Sequence, residues 1–207
     1  YEKKRISFKF NHPSARVKIQ GDKVDGWSFN LDGESFFKQN ETKRFDFLNN
    51  KLTGCVSFID LKIINISIKS NYSLCEDAYN FIRSSGNILF AEVNNSISDG
   101  LDFDFSNVKI NDLNIFNAKN DCIDFSFGKY EILNSKIMNC GDKAISIGEK
   151  SNIKISHADI KNSNYGIAAK DSSKVSLIKT NIFNTKFCLA AYRKKQEFSG
   201  SILYTNK

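Results

Sequence analysis

Three sets of side chains recur every 22 residues, and the first opens acidic: Asp77, Asp99 and Asp121, continued by Lys143, Tyr165 and Phe187. The second reads Asn80, Asp102, Asp124, Ser146, Ala168 and Ala190; the third reads Ile82, Asp104, Ser126, Gly148, Lys170 and Tyr192. If each step is one turn of a coil, members of a set stack about 4.8 Å apart. Paired carboxyls at such spacings can cleave glycosidic bonds. Retention needs a pair about 5–5.5 Å apart and inversion a pair about 6.5–9.5 Å apart. Asp99 and Asp121, one coil apart, suit the first; Asp77 and Asp121, two coils apart, sit near the upper limit of the second. Elimination from a uronic acid is the other chemistry. Asp99, Asp102, Asp121 and Asp124 would then hold Ca²⁺ through oxygen ligands. Lys143 would be the base only if its pKa fell, which nearby carboxylates oppose. The candidate catalytic groups are therefore Asp99, Asp121, Asp124 and Lys143. The candidate binding groups are Asp77, Asp102, Asp104, Asp142, Tyr165 and Lys170.

Stacked carboxylates raise one another's pKa, so a sequence that repeats them must gain something. A bound cation, a pairing with Lys143, Arg83 or Lys170, or a proton held for chemistry would each supply it. The alternative is that these side chains bond turn amides and face water. The sequence leaves both open.

The elements that must carry these residues follow from an internal repeat. Glu76–Phe81 aligns with Ser98–Phe103, Asn120–Phe125, Asp142–Ile147, Asn164–Ala169 and Lys186–Ala191, every step being 22 residues. An earlier copy, Thr53–Phe58, begins 23 residues before Glu76. Between these copies lie short alternating runs such as Val108-Lys109-Ile110 with Leu113-Asn114-Ile115, and Ile153-Lys154-Ile155 with Ala158-Asp159-Ile160. Alternation marks half-buried strands. Three short strands per 22-residue coil describe an all-β, right-handed, three-sided parallel β-helix. A leucine-rich repeat has a similar period but needs L-x-x-L-x-L-x-x-N, which is absent. Asn95, Asn117, Asn139, Asn162 and Asn184 recur at steps of 22 or 23. They predict a ladder of inward asparagines at a tight bend.

Residues 1–50 match the repeat poorly and read as an N-terminal cap with irregular first coils; residues 51–207 read as one continuous β-helix. Ile6–Phe10 and Trp27–Leu31 alternate like strands, and Phe198–Lys207 reads as a last strand.

Composition agrees with strands: 41% apolar residues and one Pro. No run approaches the roughly 18 apolar residues of a membrane span. The net charge of +7 points to an anionic partner or to a solvated basic surface. The one basic cluster with an aromatic, Tyr192 to Lys195, reads as an end cap rather than a nucleic-acid site. Five cysteines without C-x-x-C spacing argue against zinc and are expected to be core or turn residues, with one bridge at most. The chain opens at Tyr1 rather than Met, so it reads as a processed chain or an excised domain whose partners include the rest of a longer parent.

Ser98-Asp99-Gly100-Leu101-Asp102, Asn120-Asp121-Cys122-Ile123-Asp124 and Gly141–Gly148 resemble the pectin-lyase-like superfamily, and within it the N-T-D, D-D and G-H-G-I-S-I-G motifs of polygalacturonases. Asn120 stands in place of the first Asp of D-D, Lys143 in place of the His, and no R-I-K follows. Cys75-Glu76-Asp77-Ala78 and Gly141–Ser151 also resemble β-helix domains appended to larger bacterial surface proteins. The missing catalytic signatures and the excised look favour a non-catalytic module of a larger bacterial surface or secreted protein that binds a glycan or a partner along its acidic face, and the resemblance in fold points to an extracellular or cell-envelope location. The alternative is a polysaccharide hydrolase or lyase using the Asp stripe. The expected cofactor is none, or Ca²⁺.

Overall fold

The computed structural model describes residues 4–34 and 52–206, and the part of the expected cap at 35–50 lies outside them. Among the described residues all the elements are strands, and their pairings are parallel. They wind a solenoid of about eight turns with roughly 22 residues per coil.

The strands form three stacks. The first is β2 (Val17–Gln20), β5 (Gly54–Ile59), β7 (Asp77–Ile82), β9 (Asp99–Asp104), β11 (Ile123–Ser126) and β13 (Lys143–Gly148), then the ends of β14 (Asn152–Lys170) and β16 (Thr180–Tyr192). The second is β3 (Lys23–Asp25), the starts of β6 (Lys62–Ser73), β8 (Ser85–Ser96), β10 (Asn107–Ala118), β12 (Lys129–Cys140) and β14, then β15 (Lys174–Ile178) and β17 (Ile202–Asn206). The third is β1 (Arg5–Lys9), β4 (Ser28–Asp32), the later parts of β6, β8, β10 and β12, the middle of β14 and the start of β16. The first strands are thus coil strands in register: Arg5 lies on Ser28 and Val17 on Val56.

Inward columns build the core. Phe58, Phe81, Phe103 and Phe125 are fully buried, with ring centroids 4.7, 4.7 and 5.2 Å apart along the column. Parallel stacking makes a side chain sit on its own counterpart, and offset aromatic rings gain from that.

A second inward ladder is polar and was not foreseen. At the turn after the first stack, Ser84 Oγ donates to Phe58 O, Ser106 to Phe81 O, Ser151 to Phe125 O and Ser173 to Ile147 O. These serines are buried. The step that should serve Phe103 falls on Gly128. A Cβ there would lie 2.0 Å from Ser106 O and 2.5 Å from the Tyr130 hydroxyl. That hydroxyl replaces the missing serine and donates to Phe103 O at 3.2 Å and Ser126 O at 3.0 Å.

Two expectations are corrected. The asparagine ladder exists, with amide-to-carbonyl bonds of 3.1, 2.8, 2.8 and 2.7 Å from Asn117 to Asn95, Asn139 to Asn117, Asn162 to Asn139 and Asn184 to Asn162. These side chains point outward, at exposed positions for all but the half-buried Asn95, with φ between 52° and 63°. Asn tolerates the left-handed conformation that the bend requires, and the small inward space at this corner goes to Ser96, Ala118 and Cys140. The cysteines form two bridges rather than at most one: Cys55–Cys75 and Cys122–Cys140, with Cys188 free. Separations of 20 and 18 fall just short of one coil, so the partners meet at the same corner after nearly a full turn.

Thiol titration of the unreduced protein should find one reactive group, rising to five on unfolding and reduction. Tyr130→Phe removes the hydroxyl donor to Phe103 O and the acceptor of the Ser106 N–H, while Ser126 O keeps the Phe105 N–H, and should cost about 1–3 kcal/mol in denaturant unfolding. An unchanged midpoint would show that the hydroxyl is dispensable.

Candidate functional site

The first stack carries the acidic columns. Its register places Asp77 on Asp99, Asn80 on Asp102 and Ile82 on Asp104, then Asp102 on Asp124 and Asp104 on Ser126. Lys143 lies on Tyr165, and Tyr165 on Phe187. The column through Asp121 is tied by charge and amide. Asp99 Oδ1 accepts the Asp121 N–H at 2.9 Å, and Asp121 Oδ1 accepts the Lys143 N–H at 2.9 Å. Each Asp therefore caps the amide one coil below.

Much of this stripe is closed. Asp77 is 3% exposed, Asp121 5% and Lys170 6%, while Ser57, Asn80, Ser146 and Ala168 are fully buried. Asp99, Asp102, Asp104 and Asp124 are half-buried. The Lys143 ammonium bonds Asp142 and lies 3.3 Å from Asp121 Oδ1; Lys170 reaches Asp124 at 4.0 Å. Asn80 donates to Asp102 at 2.7 Å and to Asp104 at 3.4 Å. Tyr165 spends its ring on Phe187, with centroids 4.9 Å apart.

Protons settle the remaining charge. Burial, with the charge of Asp121 added, pushes the Asp99 carboxyl up to about 7 against the amide bond that opposes it. Burial also raises Asp77 well above the carboxylate range, helped by Asp99, Glu76 and Asp104 and opposed by a bond to Thr53. Asp102 is raised by burial and by the charges of Asp77, Asp104 and Asp124. Asp124 is raised by burial, with Lys170 pulling the other way. Burial works to lower Lys143, but its bond to Asp142 and the charges of Asp121 and Asp142 outweigh that and leave it raised. Lys143 is held as a cation, which is the wrong state for a general base at neutral pH.

The structure thus brings Asp77, Asp99, Asp102, Asp104, Asp121, Asp124, Asp142, Lys143 and Lys170 into one network. Asp99, raised to about 7 beside Asp121, has the composition of an acid and nucleophile pair. Asp121, however, is buried and its oxygens already accept from Lys143. Among the described residues no three His, Cys, Asp or Glu groups are placed to hold a metal ion.

An open groove lies elsewhere, along the corner between the second and third stacks. It is a cleft of ≈ 580 Å³ lined by Asp112, Asn134 and His157 in one column and by Asn114, Lys136, Asp159 and Asn181 in the next, with Phe90 at one end. Asn134 Nδ2 donates to Asp112 Oδ1 at 3.1 Å, and Asn181 Nδ2 to Asp159 Oδ1 at 2.9 Å. Inward of these columns sit Leu113, Ser135 and Ala158, and the two small residues hollow the corner. The signal was in the outward members of the alternating runs: polar residues of mixed kind at steps of 22 or 23.

Residues 99–207, just over half of the chain, match the family model described as Right handed beta helix region. The chain belongs to that family. The matched part of the β-helix holds the lower acidic stripe, one disulfide and nearly all of the groove. No curated protein and no solved structure matches. Among the described residues no helix is long and apolar enough to cross a membrane.

The sign of the pH dependence follows from the raised carboxyls. Between the ordinary value of 3.8 and about 7, folded Asp99 keeps a proton that the unfolded chain has released. Its contribution is fully present below 3.8 and is lost as pH rises through about 7. Asp77, Asp102 and Asp124 act in the same direction. The thermal midpoint should therefore fall from about pH 5 to about pH 8. Asp99→Asn should raise it at the upper pH by roughly 3–8 °C and remove part of the slope. A flat profile, or an Asn variant less stable at high pH, would contradict this reading.

Proposed function

We propose that this β-helix is a non-catalytic binding module of a larger surface or secreted protein, and that it holds an extended, hydroxyl-rich polymer such as a glycan. The acidic stripe is its internal brace, and the binding surface is the groove between the second and third stacks. The observation that carries this reading is the contrast between them. The stripe's polar groups are buried, paired or protonated, whereas the groove presents Asn, Asp, Lys and His side chains from successive coils to solvent. Groups repeating about every 4.8 Å along a rigid wall suit a linear ligand. The bonds Asn134–Asp112 and Asn181–Asp159 fix those side chains before a ligand arrives, which lowers the ordering cost.

Two disulfides favour an oxidising compartment, in keeping with a secreted or cell-surface location. The resemblance to domains appended to bacterial surface proteins points the same way. The enzyme reading keeps one supporting observation, Asp99 poised near neutrality beside Asp121.

Calorimetry with cellohexaose and with a galacturonic acid hexamer, with and without Ca²⁺, tests the proposal. Binding of either should weaken roughly tenfold in Asn134→Ala/Asn181→Ala, each lost ligand bond being worth about 1 kcal/mol. Asp99→Asn/Asp121→Asn should leave it unchanged, and no new reducing ends should form. Binding that depends on the stripe pair but not on the groove pair would overturn the reading. Release of reducing ends that is lost in Asp99→Asn would install the enzyme in its place.

A further inference from the structure

The turn between the first and second stacks carries a column in the left-handed conformation: Asp60, Arg83, Phe105, Phe127, Lys150 and Ser172, with φ between 47° and 65°. The corner of the asparagine ladder meets the same demand with the residue type that tolerates it. Here two phenylalanines accept the strain, and neither ring joins the core. Phe105 is 55% exposed and stacks on the half-buried Phe127, with centroids 4.7 Å apart and 4° between the planes. Arg83, the next member of the column, is held by Asp60 through two N–H groups. Beside the rings, the outward column of the second stack alternates amide and ammonium: Asn107, Lys129, Asn152 and Lys174 lie one on the next. With Phe127 and Lys150 they line a cleft of ≈ 660 Å³. It belongs to interior coils, since even β15, which bears Lys174, is paired on both sides.

Charge and spacing choose the occupant. Lys129, Lys150 and Lys174 are exposed, make no ion pair among the described residues, and share the lining with no Asp or Glu. The acids next to them in the chain are committed elsewhere. Glu149 is buried and bonded to Ser126 and Lys195, and Asp171 is buried and accepts the N–H groups of Lys194 and Lys195. The cleft therefore favours negative charge. Lys129 and Lys174 stand two coils apart, about 10 Å, close to the advance of two sugar rings in an extended chain. Asn107 and Asn152 take the alternate steps, where their amides suit hydroxyls. We propose that this cleft is a second binding surface, independent of the groove between the second and third stacks, for a linear glycan with a carboxylate on every second ring. The apolar C–H face of one ring would lie on Phe105, and carboxylates would meet Lys129 and Lys174. A single-stranded nucleic acid fits less well, because Phe105 and Phe127 stack on each other and leave no gap for successive bases.

The test is fluorescence anisotropy with a labelled hyaluronan octasaccharide, in which acidic and neutral rings alternate. An octamer of galacturonic acid and a short oligothymidylate serve as competitors. Hyaluronan should bind, and the galacturonate octamer should bind no more tightly despite its higher charge. Lys129→Gln/Lys174→Gln should weaken hyaluronan binding roughly tenfold while keeping the wild-type circular dichroism. Phe105→Asn should weaken it severalfold and yet hold or raise the thermal midpoint, because asparagine suits the left-handed turn. Asn134→Ala/Asn181→Ala should leave it unchanged, so this surface and the other groove stand or fall separately. The proposal is overturned by absence of hyaluronan binding, by binding that ignores the lysine pair, or by binding that needs Asn134 and Asn181. Tighter binding of the galacturonate octamer would remove the alternate-ring rule, and tighter binding of the oligothymidylate would make the occupant a nucleic acid.

Discussion

In a parallel coil the nearest neighbour of most side chains is the residue one coil away, about 4.8 Å off. Every column must therefore tolerate stacking on itself. Phenylalanine does so at 4.7 Å, ring on ring. Asparagine does so because its amide donates to the carbonyl of the next. Serine does so by turning inward to a backbone carbonyl rather than to its counterpart. Where glycine breaks the serine column, the hydroxyl of Tyr130 arrives from a neighbouring strand to make the same bond. Preserving the bond while exchanging its donor shows that the carbonyl, not the serine, is what the turn must satisfy.

Aspartate is the residue that this rule punishes, and the acidic stripe shows three ways of relieving it. Asp99 and Asp121 each take the amide below. Lys143 ends the acidic run with a cation against Asp121 and Asp142. Burial raises Asp77, Asp99, Asp102 and Asp124, so that protons replace counter-ions. A stripe that consumes its own charge in this way has little left to offer a ligand. The groove columns avoid the problem by alternating residue types: Asn114, Lys136, Asp159 and Asn181 place no two like charges in succession. That difference separates a brace from a surface.

The coil and its register were legible because period-22 identity is a one-dimensional signal, and the three columns drawn through Asp77, Asn80 and Ile82 are those of the structure. What a column faces was less legible. Asn117 looked like an inward ladder residue because its chemistry suits a buried bend, but in the left-handed conformation it faces water. Cys122 and Cys140 were hard to pair from spacing, since 18 residues matches no repeat and becomes contact only when the corner closes. Burial of the stripe was hidden for a related reason: Ser57, Asn80 and Ser146 alternate as outward residues should, yet are fully buried. The groove was visible as alternation around Asn114 and Asp159, but its hollow depends on Ser135 and Ala158 being small, a property of the adjacent inward column.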